Sequence, residues 1–259
     1  MKVTILGCAS SAGVPSISKG YGNCDPLNPL NRRTRSSALI EENGRRILID
    51  AGPDLREQFI RENIKTINGV LITHEHYDHT GGIVDLRDIN RLMGGVLNLY
   101  GEEKTMLSIK DRFSFIFQKP VMWGSLFLTP YMNANIIKSG TEYDIAGFKV
   151  TACAMKHGPI ISYGYRINDL AYLTDFSTII DDYKTLFKGV KKLVISCQSI
   201  RMEKNDLHAT FDEVMDYIKE FNVEKAYLTH MCPSVDYDYV KTVIPANTEP
   251  AFDGLAFNV

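Results

Sequence analysis

The stretch GVLITHEHYDH, residues 69–79, joins an apolar run to four side chains that can bind a metal ion. These side chains have the spacing HxHxDH and belong to His74, His76, Asp78 and His79. Three imidazoles and a carboxylate placed so closely are costly to bury, and a bound divalent cation compensates that cost. A solvated polar loop is the alternative interpretation. It explains the chain less well, because all six histidines lie in motif-like contexts.

Bulk composition is that of an ordinary globular protein. The chain has 259 residues, of which 44% are hydrophobic and 23% charged. A net charge of −2 argues against a protein that mainly coats nucleic acid, so nucleic acid is not an expected partner. No apolar run approaches the roughly 18 residues of a membrane span. The five cysteines form no CxxC pair, which favours reduced thiols and a cytoplasmic location.

Hydrophobic periodicity predicts an α/β protein. Strand-like runs cover residues 3–6, 37–40, 46–49, 70–73, 96–100, 148–152, 170–174, 192–196 and 225–229. Helix-period runs cover residues 54–63, 102–117, 179–187 and 210–221. This number of strands is compatible with two sheets. No repeat, charge run or low-complexity linker divides the chain, so we expect one domain over residues 1–259.

Most of the candidate ligands follow strand-like runs, where loops from distant parts of a sequence can converge. A dinuclear hydrolytic site needs nitrogen and oxygen ligands for two cations and a hydroxide held between them. The predicted first group is His74, His76 and His157, and the predicted second group is Asp78, His79 and His230. Asp175 is the candidate bridging carboxylate. The alternatives are a structural loop histidine at 157 and a turn or capping aspartate at 175.

His208 stands apart from these ligands in the sequence. It precedes Thr210, which can cap the helix-period run that follows. A histidine fixed there beside a metal site could donate a proton to a leaving oxygen or hold a phosphoryl oxygen. The alternative is a histidine of the capping loop with no chemical role.

The ordered pattern HxHxDH, His, Asp, His resembles the metallo-β-lactamase fold superfamily. This resemblance covers nearly the whole chain and implies an αββα four-layer sandwich with a dinuclear site at one edge of two sheets. It implies that Asp78 and His208 are catalytic and that Asp50, in the run Leu48 to Gly52, orients a ligand histidine. Two divalent ions, zinc or manganese, are the expected cofactors.

Further motifs resemble the phosphodiesterase branch of that superfamily, which includes ribonuclease Z and the phosphoribosyl cyclic phosphodiesterases. They are the opening GCASSAGVP at residues 7–15, the pairing of HAT with LTH, and the ending FDGL at residues 252–255. The ending is most similar to the cyclic phosphodiesterases. In both groups the histidine matching His208 acts on the phosphate or the leaving group. Ser10 and Ser11 are the candidate substrate contacts, with backbone amides of residues 10–14 as a phosphate cradle and arginine 32, 33 or 35 adding charge.

We therefore expect a metal-dependent hydrolase that attacks a small cyclic or nucleotide-like phosphodiester with metal-bound hydroxide. A ribonuclease Z-like transfer RNA 3′ endonuclease is an alternative, but the chain shows no long Gly/Pro-rich arm and no dense basic patch. A second alternative is a thioester or lactone hydrolase that uses the same metal ligands, and this enzyme would not need His208.

Two stretches look like insertions. Residues 18–35 are rich in Gly, Asn, Pro and Arg, which predicts an irregular loop. Residues 119–132 carry the only tryptophan, Trp123, and almost no charge. That second stretch is interpreted as a substrate lid, as a contact of a homodimer, or as core.

Overall fold

The computed structural model describes residues 1–259, apart from the side chain of residue 181. Its strands in chain order are β1 Lys2–Gly7, β2 Ser37–Glu42, β3 Arg45–Ile49, β4 Gly69–Leu71, β5 Leu97–Gly101, β6 Met122–Trp123, β7 Leu126–Phe127, β8 Met132–Ile136, β9 Glu142–Ile145, β10 Phe148–His157, β11 Ile160–Ile167, β12 Leu170–Leu173, β13 Thr178–Ile179, β14 Lys192–Ser196, β15 Lys225–Thr229, β16 Thr248–Pro250 and β17 Ala256–Asn258. The α-helices are α1 Leu55–Arg61, α2 Tyr77–Thr80, α3 Arg87–Met93, α4 Glu103–Arg112, α5 Asp181–Lys184, α6 Phe211–Phe221 and α7 Tyr237–Lys241. Short 3-10 helices cover Pro29–Asn31, Ile83–Leu86, Ser114–Phe117 and Thr185–Phe187.

Two large mixed sheets form the frame. The first has the strand order β17-β1-β2-β3-β4-β5-β8, and the second has the order β13-β10-β11-β12-β14-β15-β16, with β9 paired to β10. In the first sheet β3, β4, β5 and β8 run parallel, and in the second sheet β12, β14, β15 and β16 do. Loops that leave the carboxyl ends of these strands are where α/β proteins place their ligands.

Alternating side chains of the first sheet contribute to two different cores. Ile47 and Ile49 of β3 join the large cluster shared with the second sheet, whereas Leu48 belongs to a separate cluster with α1, α3 and α4. On the far side, α6 buries Val214 and Ile218. The layers are therefore helix, sheet, sheet and helix, and the predicted αββα sandwich is confirmed.

The nine predicted strands exist with boundaries shifted by a few residues, and the predicted helices correspond to α1, α4 and α6. The fourth predicted helix, over residues 179–187, is instead the end of β13, the four-residue α5 and a 3-10 helix. Helix α6 begins with the predicted cap, since the Thr210 hydroxyl accepts from the Glu213 amide and the Glu213 carboxylate accepts from the Thr210 amide. Strand β10 continues beyond the predicted run 148–152 as far as His157, and it pairs along its length with β11. His157 is therefore the final residue of a strand.

Residues 18–35 are largely irregular, as the sequence predicts, with one 3-10 helix at Pro29–Asn31. Residues 119–132 contain the small hairpin of β6 and β7. Trp123 is 76% exposed, so the interpretation of this tryptophan as core was wrong. None of the helices among the described residues combines the length and apolar character that a membrane crossing requires. The single domain over residues 1–259 stays a prediction.

Candidate metal centre

The HxHxDH motif lies where the first sheet ends. Strand β4 stops at Leu71, and His74 follows in a fully buried position. His76 has an extended backbone and precedes α2, and its carbonyl oxygen accepts a 2.9 Å hydrogen bond from the Thr80 hydroxyl. This turn brings Asp78 and the other motif side chains to the same side of the loop.

Asp50 lies behind the motif, directly after β3. One carboxylate oxygen lies 2.7 Å from Nδ1 of His79, and the other accepts 2.9 Å from the amide of Thr73. Burial raises the pKa of Asp50, and the hydrogen bonds oppose that rise. Because Nδ1 is held by a carboxylate, His79 presents Nε2 to the centre of the site. Asp50 therefore contacts His79, a candidate ligand, from the side away from the cluster.

The second sheet supplies three more candidate ligands. His157 ends β10, and its Nδ1 lies 2.6 Å from the carbonyl oxygen of Leu207. Asp175 follows β12 and His230 follows β15, both in the left-handed backbone region, with φ of 51° and 56°. Such backbone conformations are uncommon for these residue types and cluster at functional sites.

The seven predicted ligands come together as two overlapping groups. Ligand atoms of His74, His76 and His157 lie within 4.8 Å of one another, and so do those of Asp78, His79 and His230. These are the two groups that the sequence predicts. The structure also groups Asp175 with His74 and His79, and with His157 and His208.

Asp175 occupies the space between the two groups. Its Oδ2 lies 3.1 Å from Nε2 of His79, and its Oδ1 lies 3.1 Å from Nε2 of His230. Burial raises the pKa of Asp175, but His230 and His79 outweigh it, so the pKa lies well below the usual value. A carboxylate so placed can be shared by two cations.

Several buried nitrogens at this point have no hydrogen-bond partner among the described residues. They are Nε2 of His79, Nδ1 of His208, and both ring nitrogens of His230. Some of these atoms lie close to carboxylate oxygens, but in poor geometry for hydrogen bonds. Burying unpaired polar groups is costly, whereas coordination of a cation satisfies them. The donor set of imidazoles and carboxylates fits zinc or manganese.

His208 lies against the cluster, as predicted, although it is not part of either triad. Its ring centroid is 5.1 Å from that of His157 and 5.4 Å from that of His230, and its Nδ1 is 3.8 Å from Oδ1 of Asp175. The Asn205 side chain accepts from the His208 amide and fixes the backbone there. Burial lowers the pKa of His208 to about 4, so a neutral imidazole with one N–H group faces the site.

The loop of Ser10 and Ser11 lies beside His230. The amide of Ser10 donates to the carbonyl oxygen of Met231, so the predicted substrate loop and the His230 loop are directly bonded. Ser10 is buried, and Ser11 is exposed. The amides of residues 10, 13 and 14 bond to carbonyl groups, which leaves those of residues 11 and 12 for a phosphate cradle among the described residues.

The arginines near this loop have structural partners. Arg35 forms a 2.7 Å ion pair with Asp54 and donates to the carbonyl oxygen of Ser11. Arg33 is 2% exposed, and its guanidinium bonds to the carbonyl oxygen of Val235. The interpretation of Arg33 as a substrate arginine was therefore wrong.

Two residues near the motif were missed by sequence reasoning. Arg112, at the end of α4, donates 2.5 Å to the carbonyl oxygen of Glu75 and so holds the motif from outside. Gly52 lies so close to Asp78 that a Cβ atom on it would lie 2.1 Å from the Asp78 carbonyl oxygen. Nothing in the local sequence marks Arg112. Gly52, in contrast, follows Asp50 by two residues, and a glycine at that position could have indicated a close approach of two main-chain segments.

Comparison with known proteins places the chain in a family. A model described as a beta-lactamase superfamily domain matches residues 45–231. Over 258 residues the chain is 31% identical to a protein of Porphyromonas gingivalis named octanoyltransferase, a match that covers 98% of this chain and 51% of that protein. The chain thus spans about half the length of that relative.

Several solved structures are similar over the full chain. A diphosphatase from the PhnP family superposes with a TM-score of 0.89 at 30% identity, covering 100% of this chain and 97% of that one. Zn²⁺-bound PqqB from Methylobacterium extorquens gives 0.78 at 19% identity and 100% coverage of both chains, a likeness of fold alone. The matches agree with the αββα architecture, and the chain belongs to the beta-lactamase superfamily.

Proposed function

We propose that the protein is a dinuclear metal-dependent phosphodiesterase that cleaves a small cyclic or nucleotide-like phosphodiester. The observation that carries this proposal is the position of His208, a buried imidazole that faces the ligand cluster without belonging to either triad. Hydrolysis of an alkyl phosphodiester needs help for the leaving oxygen, and a histidine at this position can supply it.

The seven residues of the two triads and Asp175 would hold two divalent ions, zinc or manganese. When bound, such ions lower the pKa of a coordinated water and neutralise charge on a phosphoryl group. Asp78 and Asp175 bring negative charge that balances the cations. Asp50 keeps His79 in one tautomer, and the Leu207 carbonyl does the same for His157.

The remaining chemistry is assigned to this chain's own groups. The carboxylate of Asp78 accepts a proton from the attacking water. His208 donates its N–H group to a phosphoryl oxygen and then gives this proton to the departing oxygen, while its other ring nitrogen takes up the proton that was removed from the attacking water. Ser10 and Ser11, with the free amides of residues 11 and 12, bind the other phosphoryl oxygens.

The experiment is turnover of bis(4-nitrophenyl) phosphate and of a nucleoside 2′,3′-cyclic phosphate by protein loaded separately with zinc and manganese. We expect both to be cleaved. His208→Ala should reduce kcat on the cyclic phosphate by about 10²- to 10⁴-fold, because its alkoxide leaving group needs a proton. The loss on the nitrophenyl ester should be smaller, since nitrophenolate leaves without a proton.

Metal content measured on the same samples serves as the control. His208→Ala should bind as much metal as the wild type, because His208 is not assigned to the ion ligands. Turnover of a glyoxalase-type thioester that is indifferent to His208→Ala, with no phosphodiester turnover, would replace this proposal with the thioester hydrolase. Cleavage of precursor transfer RNA in preference to both small esters would replace it with the ribonuclease.

A further inference from the structure

A second concave site lies on the loops that follow β14 and β15. It has a volume of about 440 Å³ and is lined by Asn23, Ser199, Ile200, Arg201, Ser234, Asp236 and Tyr239. A volume of this order is within the range of small-molecule sites in proteins. None of its lining residues belongs to the two triads or to the loop of Ser10 and Ser11.

The chain fixes this pocket close to His230. Ser234 is four residues beyond His230, and four residues span at most about 14 Å. On the opposite wall, Cys197 donates its amide to the carbonyl oxygen of Thr229, and Ser199 follows two residues later. The hydroxyl oxygens of Ser199 and Ser234 lie 3.2 Å apart, which joins the two walls. The loops that follow β14 and β15 therefore line the pocket, and the second of them begins at His230.

Three side chains of the pocket have groups to offer a ligand. Tyr239 is 47% exposed. Its hydroxyl, the side-chain amide of Asn23 and the guanidinium of Arg201 have no hydrogen-bond or ion-pair partner among the described residues. Asp236 differs, since its Oδ2 accepts from the amide of Asp25 and from the Asn31 side chain. Its carboxylate is part of the scaffold.

These three groups match the chemistry of a nucleobase. Aromatic rings and guanidinium planes stack on bases, and an asparagine amide can both donate to and accept from a base edge. The backbone of Asn23 is fixed, because its main-chain N–H donates a 2.8 Å hydrogen bond to the carbonyl oxygen of Pro233. Arg201 also gives the pocket a positive charge suited to a phosphorylated ligand.

We infer that this pocket binds the base of the substrate, so that the phosphodiester cleaved at the metal centre belongs to a nucleotide rather than to a plain sugar or alkyl phosphate. Tyr239 is the stacking platform, and Asn23 reads the base edge. This inference rests on the proposed phosphodiesterase function and names its substrate class.

The test compares two esters with the same leaving group. Thymidine 5′-(4-nitrophenyl phosphate) carries a base, and methyl 4-nitrophenyl phosphate does not. We expect the wild type to prefer the thymidine ester in kcat/KM by roughly tenfold or more, as stacking of one base contributes. Tyr239→Ala should bring this ratio towards one through a higher KM, whereas Tyr239→Phe should preserve it. Phe115→Ala, at an aromatic side chain that is 44% exposed and lies outside the pocket, is the matched control and should leave the ratio unchanged.

A binding measurement gives a readout that does not depend on turnover. Titration calorimetry of metal-free protein should show tighter binding of thymidine 5′-monophosphate than of ribose 5-phosphate, and Tyr239→Ala should abolish the difference. Thermal unfolding of each variant checks that the fold is intact. If neither ester is hydrolysed by metal-loaded protein, the proposed function is wrong, and the pocket is judged by calorimetry. If both are hydrolysed with the same ratio in wild type and Tyr239→Ala, the pocket inference alone is overturned.

Discussion

The guanidinium group of Arg33 donates a 2.7 Å hydrogen bond to the carbonyl oxygen of Val235. The main chain of Arg33 pairs with Val14 in both directions, at 2.9 Å each way. One buried residue therefore links the loop that follows His230 to the loop that contains Ser10. The two walls of the candidate site keep their spacing through this side chain.

Replacing this arginine should destabilise the protein. Arg33→Ala leaves a cavity and an unsatisfied carbonyl group, which together cost about 3 kcal/mol of the free energy of unfolding. Urea denaturation at constant metal concentration measures it. Arg32→Ala is the matched control, because Arg32 is exposed and adjacent in sequence. An equal loss in both variants would show that the buried bonds of Arg33 contribute nothing specific.

Asp50→Asn tests the carboxylate behind His79. An amide cannot provide the charge that holds Nδ1 of His79 protonated, so we expect metal affinity to fall by about 10- to 100-fold. Competition with a chromophoric chelator measures this affinity directly. Asp88→Asn removes a carboxylate that is 72% exposed and should leave the affinity unchanged. Equal affinities in wild type and Asp50→Asn would contradict the assignment.

Gly52→Ala tests the close approach of two main-chain segments. A Cβ atom at residue 52 would lie 2.1 Å from the carbonyl oxygen of Asp78, so the backbone of the motif must move. We expect weaker metal binding together with a lower melting temperature. Gly95→Ala is the control, since a Cβ atom there meets nothing within 4 Å. A Gly52→Ala protein that binds metal like the wild type would show that the motif tolerates this shift.

The sequence was most informative where chemistry restricts residue types. The HxHxDH motif, His157, Asp175 and His230 could be placed in two groups from spacing and strand ends, because imidazoles and carboxylates are rarely gathered for any other purpose. The structure brings together those same groups. The strands around them were predictable because buried parallel strands read as apolar runs.

Long-range contacts could not be predicted in this way. Arg33 reads as a surface residue in a polar loop, and its burial depends on carbonyl and sulfur atoms about 200 residues away. Strand β11 escaped notice because its polar residues interrupt the apolar pattern, although β10 pairs with it throughout. The pocket of Tyr239 is built from three separate segments of the chain, so no local sequence pattern predicts it.

The exposed hairpin leads to a prediction about assembly. Trp123 is the only tryptophan and is 76% exposed, so its emission reports on this hairpin alone. We expect acrylamide to quench it strongly in dilute protein. If a second copy covers the hairpin, as a homodimer would, protection should appear at high concentration and disappear on dilution. Protection that persists at every concentration would contradict the exposed position of Trp123.

Asp253 should make stability depend on pH in a direction opposite to that of most carboxylates. Burial raises its pKa from 3.8 to about 6, although Thr34 and Arg61 oppose the rise. The folded protein thus holds this proton more tightly than the unfolded chain. The resulting stabilisation is complete below pH 3.8 and is lost as the pH rises through 6.

The unfolding free energy of the wild type minus that of Asp253→Asn should fall by about 2 kcal/mol between pH 4 and 7. Urea titrations at several pH values measure this difference. The ionisations of the metal cluster cancel in it, because both proteins contain the same cluster. A difference that stays constant over this range, or rises with pH, would mean that Asp253 is already ionised in the folded protein at pH 4 and that its hydrogen bonds from Thr34 outweigh its burial.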